Sequence, residues 1–306
     1  MYLRVSVTDR CNLRCTYCLP EDARFSDSRA APEEIDALMG AVCAAVPVSK
    51  IRLTGGEPTL SPDLERHVRA AAWLVPTVGL TSNGVLLEQR LADLRDAGLN
   101  RLNISLDAAD PAGFQRATRR DRFAAVLGSI RQARKLGFDP LKINAVAMSG
   151  IDPTALARLA VAEGVHLRFI ELMDIGEAHN GWESRHVGAA TIQERLRSDG
   201  LRIHEAPECD EPTSRVWHIE GVDPHRTTLG FITTVSAPFC STCDRIRLDS
   251  RGRLHTCLFD EAGVDLLSWL RAGDEHGLVE LIRRTVAGKA PPPRFRREGA
   301  MAAIGG

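Results

Sequence analysis

Tyr2-Leu3-Arg4-Val5-Ser6-Val7-Thr8-Asp9-Arg10-Cys11-Asn12-Leu13-Arg14-Cys15-Thr16-Tyr17-Cys18 leads a strand-like run directly into three cysteines spaced C-x3-C-x2-C. From Leu3 to Thr8, apolar residues alternate with Arg4, Ser6 and Thr8, the period of a strand with one apolar and one polar face. Thiolates this close in sequence hold iron–sulfur clusters, and a complete site takes four. Three ligands leave one iron open, and an open metal position is what a site keeps for a small molecule. The same spacing also suits three quarters of a structural zinc site whose fourth ligand lies elsewhere.

A second trio, Cys240, Cys243 and Cys257, reads C-x2-C-x13-C. A zinc ribbon would need a second pair where only one cysteine stands. Two incomplete sets suggest two clusters, each with a vacant iron, or one shared site made by pooling them. Cys43 shares a helical face with Ile35, Leu38, Met39, Val42 and Val46 and reads as core packing. Cys209 receives no role.

The chain has 306 residues, 44% of them apolar and 26% charged, with a formal net charge of −1. That balance argues against general nucleic-acid binding through a basic surface, so an anionic ligand must meet a local basic cluster. Eight cysteines are too sparse for a disulfide scaffold. Thiolate ligands need a reducing compartment, and no signal peptide or long apolar span is visible, so the expectation is a cytoplasmic protein away from the membrane.

Strand-like and helix-like segments then alternate, as in a parallel α/β architecture. Strands are expected at 2–7, 50–53, 77–80, 101–106, 141–147 and 165–170. Helices are expected at 32–46, 62–72, around Leu87, Leu91 and Leu94, and at 122–136 and 153–162. A sheet covered on both faces should read as continuous apolar runs. Here polar residues occupy every second position: Lys50, Arg52 and Thr54; Asn103, Ser105 and Asp107; Lys142 and Asn144. One face therefore packs on helices and the other lines a ligand-filled lumen. Beyond Ile170 the alternation stops. Residues 174–188 read as a long loop, 228–235 as a strand, 246–248 and 254–257 as a hairpin, and 264–271 and 274–286 as helices.

The lumen face gathers Arg4, Lys50, Arg52 and Lys142, with Arg168 near the end of the sixth strand and Arg245 and Arg247 sharing a face past Cys243. Converging cations repel unless an anion offsets them, and arginine forks suit phosphate oxygens. The competing reading pairs some of them with Asp107, Glu57 or Glu171.

C-x3-C-x2-C with Tyr17 before the last cysteine, and Gly55-Gly56-Glu57-Pro58 after a strand, resemble the radical S-adenosylmethionine superfamily. The second trio, within Phe239-Cys-Ser-Thr-Cys-Asp-Arg-Ile-Arg-Leu, and the terminal Ile304-Gly305-Gly306 are similar within it to the GTP 3′,8-cyclases that open molybdenum cofactor biosynthesis. The resemblance runs from Arg4 to Gly306. It implies a partial (β/α)6 TIM-like barrel over 1–206 and a C-terminal α+β domain over 207–306 carrying a second cluster. It implies two [4Fe-4S] clusters, one on Cys11, Cys15 and Cys18 and one on Cys240, Cys243 and Cys257. S-adenosylmethionine would meet Tyr17, Gly56, Ser105 and Met173. GTP would meet Arg4, Lys50, Arg52, Thr81, Lys142, Arg168, Arg245 and Arg247, and Gly305 and Gly306 would reach the active site beside arginine and substrate, catalytic together with Arg245. An electron donor and a downstream cyclic pyranopterin monophosphate synthase are implied partners, and the resemblance leaves room for a homodimer. Two departures stand out. Leu19 replaces the usual methionine, and the stretch ahead of the first strand is short, which puts the packing of that strand's edge in question. Two other readings remain: a related radical enzyme acting on a peptide, and a non-enzymatic module holding zinc in both trios.

Overall fold

Alternation along the strands sets which face each residue takes. In the computed structural model, which describes residues 1–25, 29–209, 212–292 and 294–305, six parallel strands follow in order. They are β1 (Tyr2–Ser6), β2 (Lys50–Thr54), β3 (Thr77–Ser82), β4 (Arg101–Ser105), β5 (Leu141–Ala147) and β6 (His166–Glu171). The crossovers run through α1 (Pro32–Ala45), α2 (Leu64–Leu74), α3 (Leu91–Asp96), α4 (Pro111–Thr118), α5 (Phe123–Lys135) and α6 (Pro153–Glu163). Local chemistry delimits them. At α6, the Asp152 carboxylate accepts from the N–H groups of Thr154 and Ala155, Pro153 opens the helix, and Gly164 closes it in the left-handed region. Leu3, Val5, Ile51, Leu53, Leu80, Leu102 and Ile104 are buried with Leu38, Met39, Leu64 and Val126 of the helices in one core.

The chain continues through β7 (Asp174–Ile175), α7 (Trp182–Arg185), α8 (Ala189–Ser198), β8 (Ile203–Glu205), β9 (Arg215–Ile219), β10 (Leu229–Ile232), β11 (Arg245–Leu248) and β12 (Arg253–His255). It ends with β13 (Val264–Asp265), α9 (Leu267–Ala272), α10 (Glu275–Ala287) and β14 (Arg296–Arg297). β10 adds parallel to β6 and β11 adds parallel to β1, so the last third of the chain extends both sides of the first sheet. Antiparallel strands finish each side, giving the order β13-β12-β11-β1-β2-β3-β4-β5-β6-β10-β9-β8. The result is a mixed α/β fold built on a barrel-like, laterally open sheet.

The six expected strands and the β11–β12 hairpin are present. Several expectations are corrected. The first strand is no edge, because β1 is bonded to β2 and β11. The segment 174–188 is not plain loop, since it holds β7 and α7, and β7 pairs in parallel with β14 from the chain's tail. The helix expected from Val264 starts as β13, drawn into the sheet by Leu254↔Val264 pairing. β8 and β9 escaped notice because His204, Glu205 and Arg215 are exposed, which erases any apolar alternation.

Candidate active site

Register puts the polar residues of the sheet's concave face into layers. Tyr2 is level with Lys50 and Arg245, and Arg4 with Arg52 and Arg247. Farther round, Thr81, Asn103 and Lys142 are level, as are Ser105, Asn144 and Arg168. Together they line a cavity of about 650 Å³. All seven basic side chains singled out from the sequence reach this wall, joined by Arg101. Space is made for them by small neighbours. A Cβ on Gly79 would lie 2.8 Å from the Arg52 guanidinium carbon, so glycine at this point of β3 lets Arg52 cross without shifting. Arg52 then donates to the Leu80 carbonyl at 2.8 Å and to the Tyr2 hydroxyl at 2.7 Å.

The three carboxylates considered as partners for these cations are bonded to neutral groups. Glu57 accepts from the Ser82 and Thr59 hydroxyls and from the N–H groups of Thr59 and Asn83. Asp107 accepts from the Tyr17 hydroxyl at 2.9 Å and the Val146 N–H at 2.8 Å. Burial pushes both of these carboxyls up, and those hydrogen bonds only partly offset it. Glu171 takes the N–H groups of Ala189, Val235 and Ser236 and the Ser236 hydroxyl. The carboxylates thus brace loops. Meanwhile the buried Thr81 Oγ1, Asn144 Oδ1 and Arg245 Nε have no hydrogen-bond partner among the described residues and lie on the cavity wall, as a polar ligand requires.

Cys11, Cys15 and Cys18 lie in the loop after β1, at the carboxyl edge of the sheet. The loop is stapled to the end of α4 by Arg14 N–H to the Thr118 carbonyl and Thr16 N–H to the Ala117 carbonyl, both 3.0 Å. Cys11 Sγ accepts from the Leu13 N–H at 3.4 Å, with Asn83 Nδ2 at 3.9 Å. Burial pushes the Cys11 thiol up to about 11, Cys18 up to about 12 and Cys15 well above its ordinary value. Thiolates here therefore require the positive charge of a bound metal centre, which lowers thiol pKa outright. Three thiols gathered in one loop and raised by burial are a donor set that an iron–sulfur cluster takes. Tyr17, Ser105 and Met173 line the cavity next to this loop. Gly56 stands behind it: a Cβ there would be 2.4 Å from the Arg10 carbonyl oxygen, so the glycine lets the Gly55-Gly56 turn back the cysteine loop.

The second trio is at the other edge. Tyr2 N–H bonds the Asp244 carbonyl at 3.1 Å, which sets Cys243 beside the start of β1, while Cys11 follows its end. Four residue steps of strand separate those levels by about 13 Å. Pooling into one shared site is therefore ruled out. Cys240, Cys243 and Cys257 all line the cavity. Cys240's thiol is raised by burial and by its neighbours Cys257 and Cys243. His255, two residues before Cys257, is committed elsewhere, with ring nitrogens 3.1 Å from Asp249 Oδ2 and from the Asp260 carbonyl.

Arg245 stacks its guanidinium 5.8 Å from the Tyr2 ring and 5.7 Å from Phe239, and donates to the Thr213 hydroxyl. Arg247, buried, donates to the Gly305 carbonyl at 2.5 Å. Gly305 sits at φ +70, and a Cβ on it would be 2.6 Å from Thr54 Cγ2 and 3.1 Å from Ser6 Cβ. The tail therefore packs over the ends of β1 and β2, against Ser6 and Thr54. Gly306 lies outside the described residues. Tyr2 and Arg101 were missed as site residues, although the alternation that marked Arg4 and Lys142 also marks their faces, whereas Asn103 and Asn144 lie on the lumen wall where the alternation put them. Thr213 had no sequence signal. Cys43 packs half-buried against the core, as expected. Cys209 lies at the surface near Glu208 and His218, away from the cavity. Among the described residues, no helix is long and apolar enough to cross a membrane.

Residues 5–160 match the Radical SAM superfamily and residues 165–294 match Molybdenum Cofactor Synthesis C. The chain belongs to the radical SAM superfamily, whose members use a [4Fe-4S] cluster with S-adenosylmethionine. Among its relatives is the GTP 3',8-cyclase of Mycolicibacterium smegmatis, 37% identical over 320 residues that cover 99% of this chain and 89% of that protein. The GTP 3',8-cyclase of Streptomyces coelicolor is 39% identical over 325 residues, covering 99% and 93%. Streptococcus suis SuiB in complex with its precursor peptide SuiA shares the fold, with a TM-score of 0.58 at 12% identity, covering 92% of this chain and 66% of that one.

Proposed function

We propose that the protein converts GTP to 3′,8-cyclo-7,8-dihydro-GTP, the first step of molybdenum cofactor biosynthesis. The observation that carries this reading is one cavity lined at one end by Cys240, Cys243 and Cys257 and at the other by Tyr17 of the first cysteine loop, with basic side chains from β1, β2, β5, β6 and β11 between them. Cys11, Cys15 and Cys18 hold the [4Fe-4S] cluster, and Tyr17, Gly56, Ser105 and Met173 seat S-adenosylmethionine. Held there, that pair would supply the chemistry of hydrogen abstraction from C3′ once an electron donor reduces it. Cys240, Cys243 and Cys257 would hold a second [4Fe-4S] cluster, which would supply an anchoring position for the guanine. Arg4, Lys50, Arg52, Lys142, Arg168, Arg245 and Arg247, with Thr81, neutralise and orient the triphosphate and base, and Gly305 and Gly306 close the site beside them. Fixing C3′ against C8 within one nucleotide is a large rate term.

The two parts of the chain share the labour: 1–206 generates the radical and supplies Arg4, Lys50, Arg52, Thr81, Lys142 and Arg168 to the substrate, and 207–306 adds the second trio, Arg245 and Arg247. An electron donor and a cyclic pyranopterin monophosphate synthase are the partners that this chemistry calls for, in a reducing cytoplasm. Anaerobic incubation of the cluster-loaded protein with GTP, S-adenosylmethionine and dithionite tests it. Mass analysis should find an isomer of GTP together with 5′-deoxyadenosine. Deoxyadenosine with unaltered GTP would overturn the substrate, and absence of both would overturn the activity.

A further inference from the structure

Tyr2 is the one phenol set among the cavity's cations. It opens β1 on the concave face. Its oxygen accepts from Arg52 Nε at 2.7 Å and is hydrogen-bonded to Arg4. Lys50 Nζ stands 4.8 Å from the ring centroid on one strand, and the Arg245 guanidinium 5.8 Å from it on another. Arg247 adds its charge from β11, and Lys142 and Arg168 face the same space from β5 and β6. Acidic groups on that wall are Asp244, whose carbonyl bonds the Tyr2 N–H, Asp107, which accepts from the Tyr17 hydroxyl and the Val146 N–H, and Glu171, which accepts from the Ser236 hydroxyl and N–H.

Guanidinium groups only donate, so Tyr2's oxygen is used as an acceptor from both arginines. Such bonds favour the anion. Burial by itself would push the phenol up; Arg52, then Arg4, Arg245 and Lys50, overcome it and bring it down to about 7. The ring also has the shape to separate Lys50 from Arg245, which a carboxylate would not.

We infer that Tyr2 is the cavity's resident counter-ion: its phenolate balances the cations until a triphosphate enters, and the phenol takes up a proton when that happens. The inference rests on the GTP-binding reading and adds a charge-balancing, positioning residue to it. A polyanion placed among the same cations would repel the phenolate, so the bound form holds the phenol neutral. Binding then consumes one proton wherever free Tyr2 is ionised, which is above about pH 7. GTP affinity should fall as pH rises above that point, by at most about tenfold per pH unit. The terminal phosphate loses its own last proton near pH 6 and contributes little to the trend above 7.5.

The test is anaerobic titration calorimetry of GTP into the cluster-loaded protein at pH 7.0 and 8.5, in two buffers of different ionisation enthalpy. The wild type should take up about one proton per GTP at pH 8.5 and bind roughly ten- to thirtyfold more weakly than at pH 7.0. Tyr2→Phe should show no uptake and a flat affinity, with iron content unchanged. Uptake persisting in Tyr2→Phe would assign the proton to Lys50 or Lys142 and overturn the inference. Wild-type binding without uptake would overturn it with no variant needed, should Tyr2→Phe not fold. Failure of GTP to bind at any pH would overturn the substrate reading together with it.

Discussion

The two cysteine trios are unlike in their surroundings. The one after β1 has Leu13 and Leu19 buried within the loop, the end of α4 bonded to its backbone, and thiols that burial lifts to about 11 and 12 at Cys11 and Cys18. The one before β11 has exposed Ser241 and Thr242 between its first two cysteines and draws its third from the end of a different strand. A site for generating a radical needs a dry, rigid cradle, because water and side reactions must be kept out. A site whose open position receives the substrate needs access and an adjoining anchor. On the proposed reading, Arg245, two residues after Cys243 and on the cavity wall, is that anchor.

This contrast can be broken from either side. Cys15→Ser should reduce 5′-deoxyadenosine formation to background while roughly half the iron remains, measured anaerobically with dithionite, because one lost ligand of three disables the first cluster. Undiminished deoxyadenosine would remove the catalytic role from the first trio. Cys243→Ser should abolish the cyclised nucleotide yet leave deoxyadenosine production, and a normal product yield would make the second trio structural. Gly305→Val sharpens the picture at the point where the tail meets β1 and β2. Displacing the reacting atoms should lower product formation about a hundredfold with iron content unchanged. Wild-type turnover would mean the tail is only packing. The smallest effect is expected for Arg245→Ala. Loss of a charge-assisted contact should weaken GTP by about 1.5–3 kcal/mol, read by calorimetry, and leave S-adenosylmethionine affinity unchanged. Equal loss for both ligands would indicate a folding defect.

What the sequence made legible was whatever repeats with the period of a strand. Arg4 and Ser6, Arg52 and Thr54, Asn103 and Ser105 announced a polar concave face, and each lies on it. Tyr2 obeys the same period but went unread, since an aromatic ring in a strand usually means core. Glu57, Asp107 and Glu171 looked like partners for the cations. Their actual bonds, to Ser82, Val146 and Ser236 among others, depend on loops brought together from residues far apart in the chain. β8 and β9 gave no pattern, because these short strands at the sheet's margin mix exposed His204, Glu205 and Arg215 with half-buried Trp217 and His218. The tail's approach to Arg247 is invisible to periodicity, and only the resemblance raised it.

Because β11 is bonded to β1, Tyr2 waits for Arg245, and β6 likewise waits for Leu229 to Ile232. Until those late strands arrive, a growing chain carries two bare parallel edges with every N–H and C=O along them unpaired, the kind of template that recruits foreign strands. Closing such long loops also slows folding, since the entropy must be surrendered before the contacts form. Assembly of this protein is therefore most vulnerable during synthesis, when the front of the sheet is complete and neither flank is covered, and a chain truncated after residue 206 should aggregate rather than persist as a smaller radical enzyme.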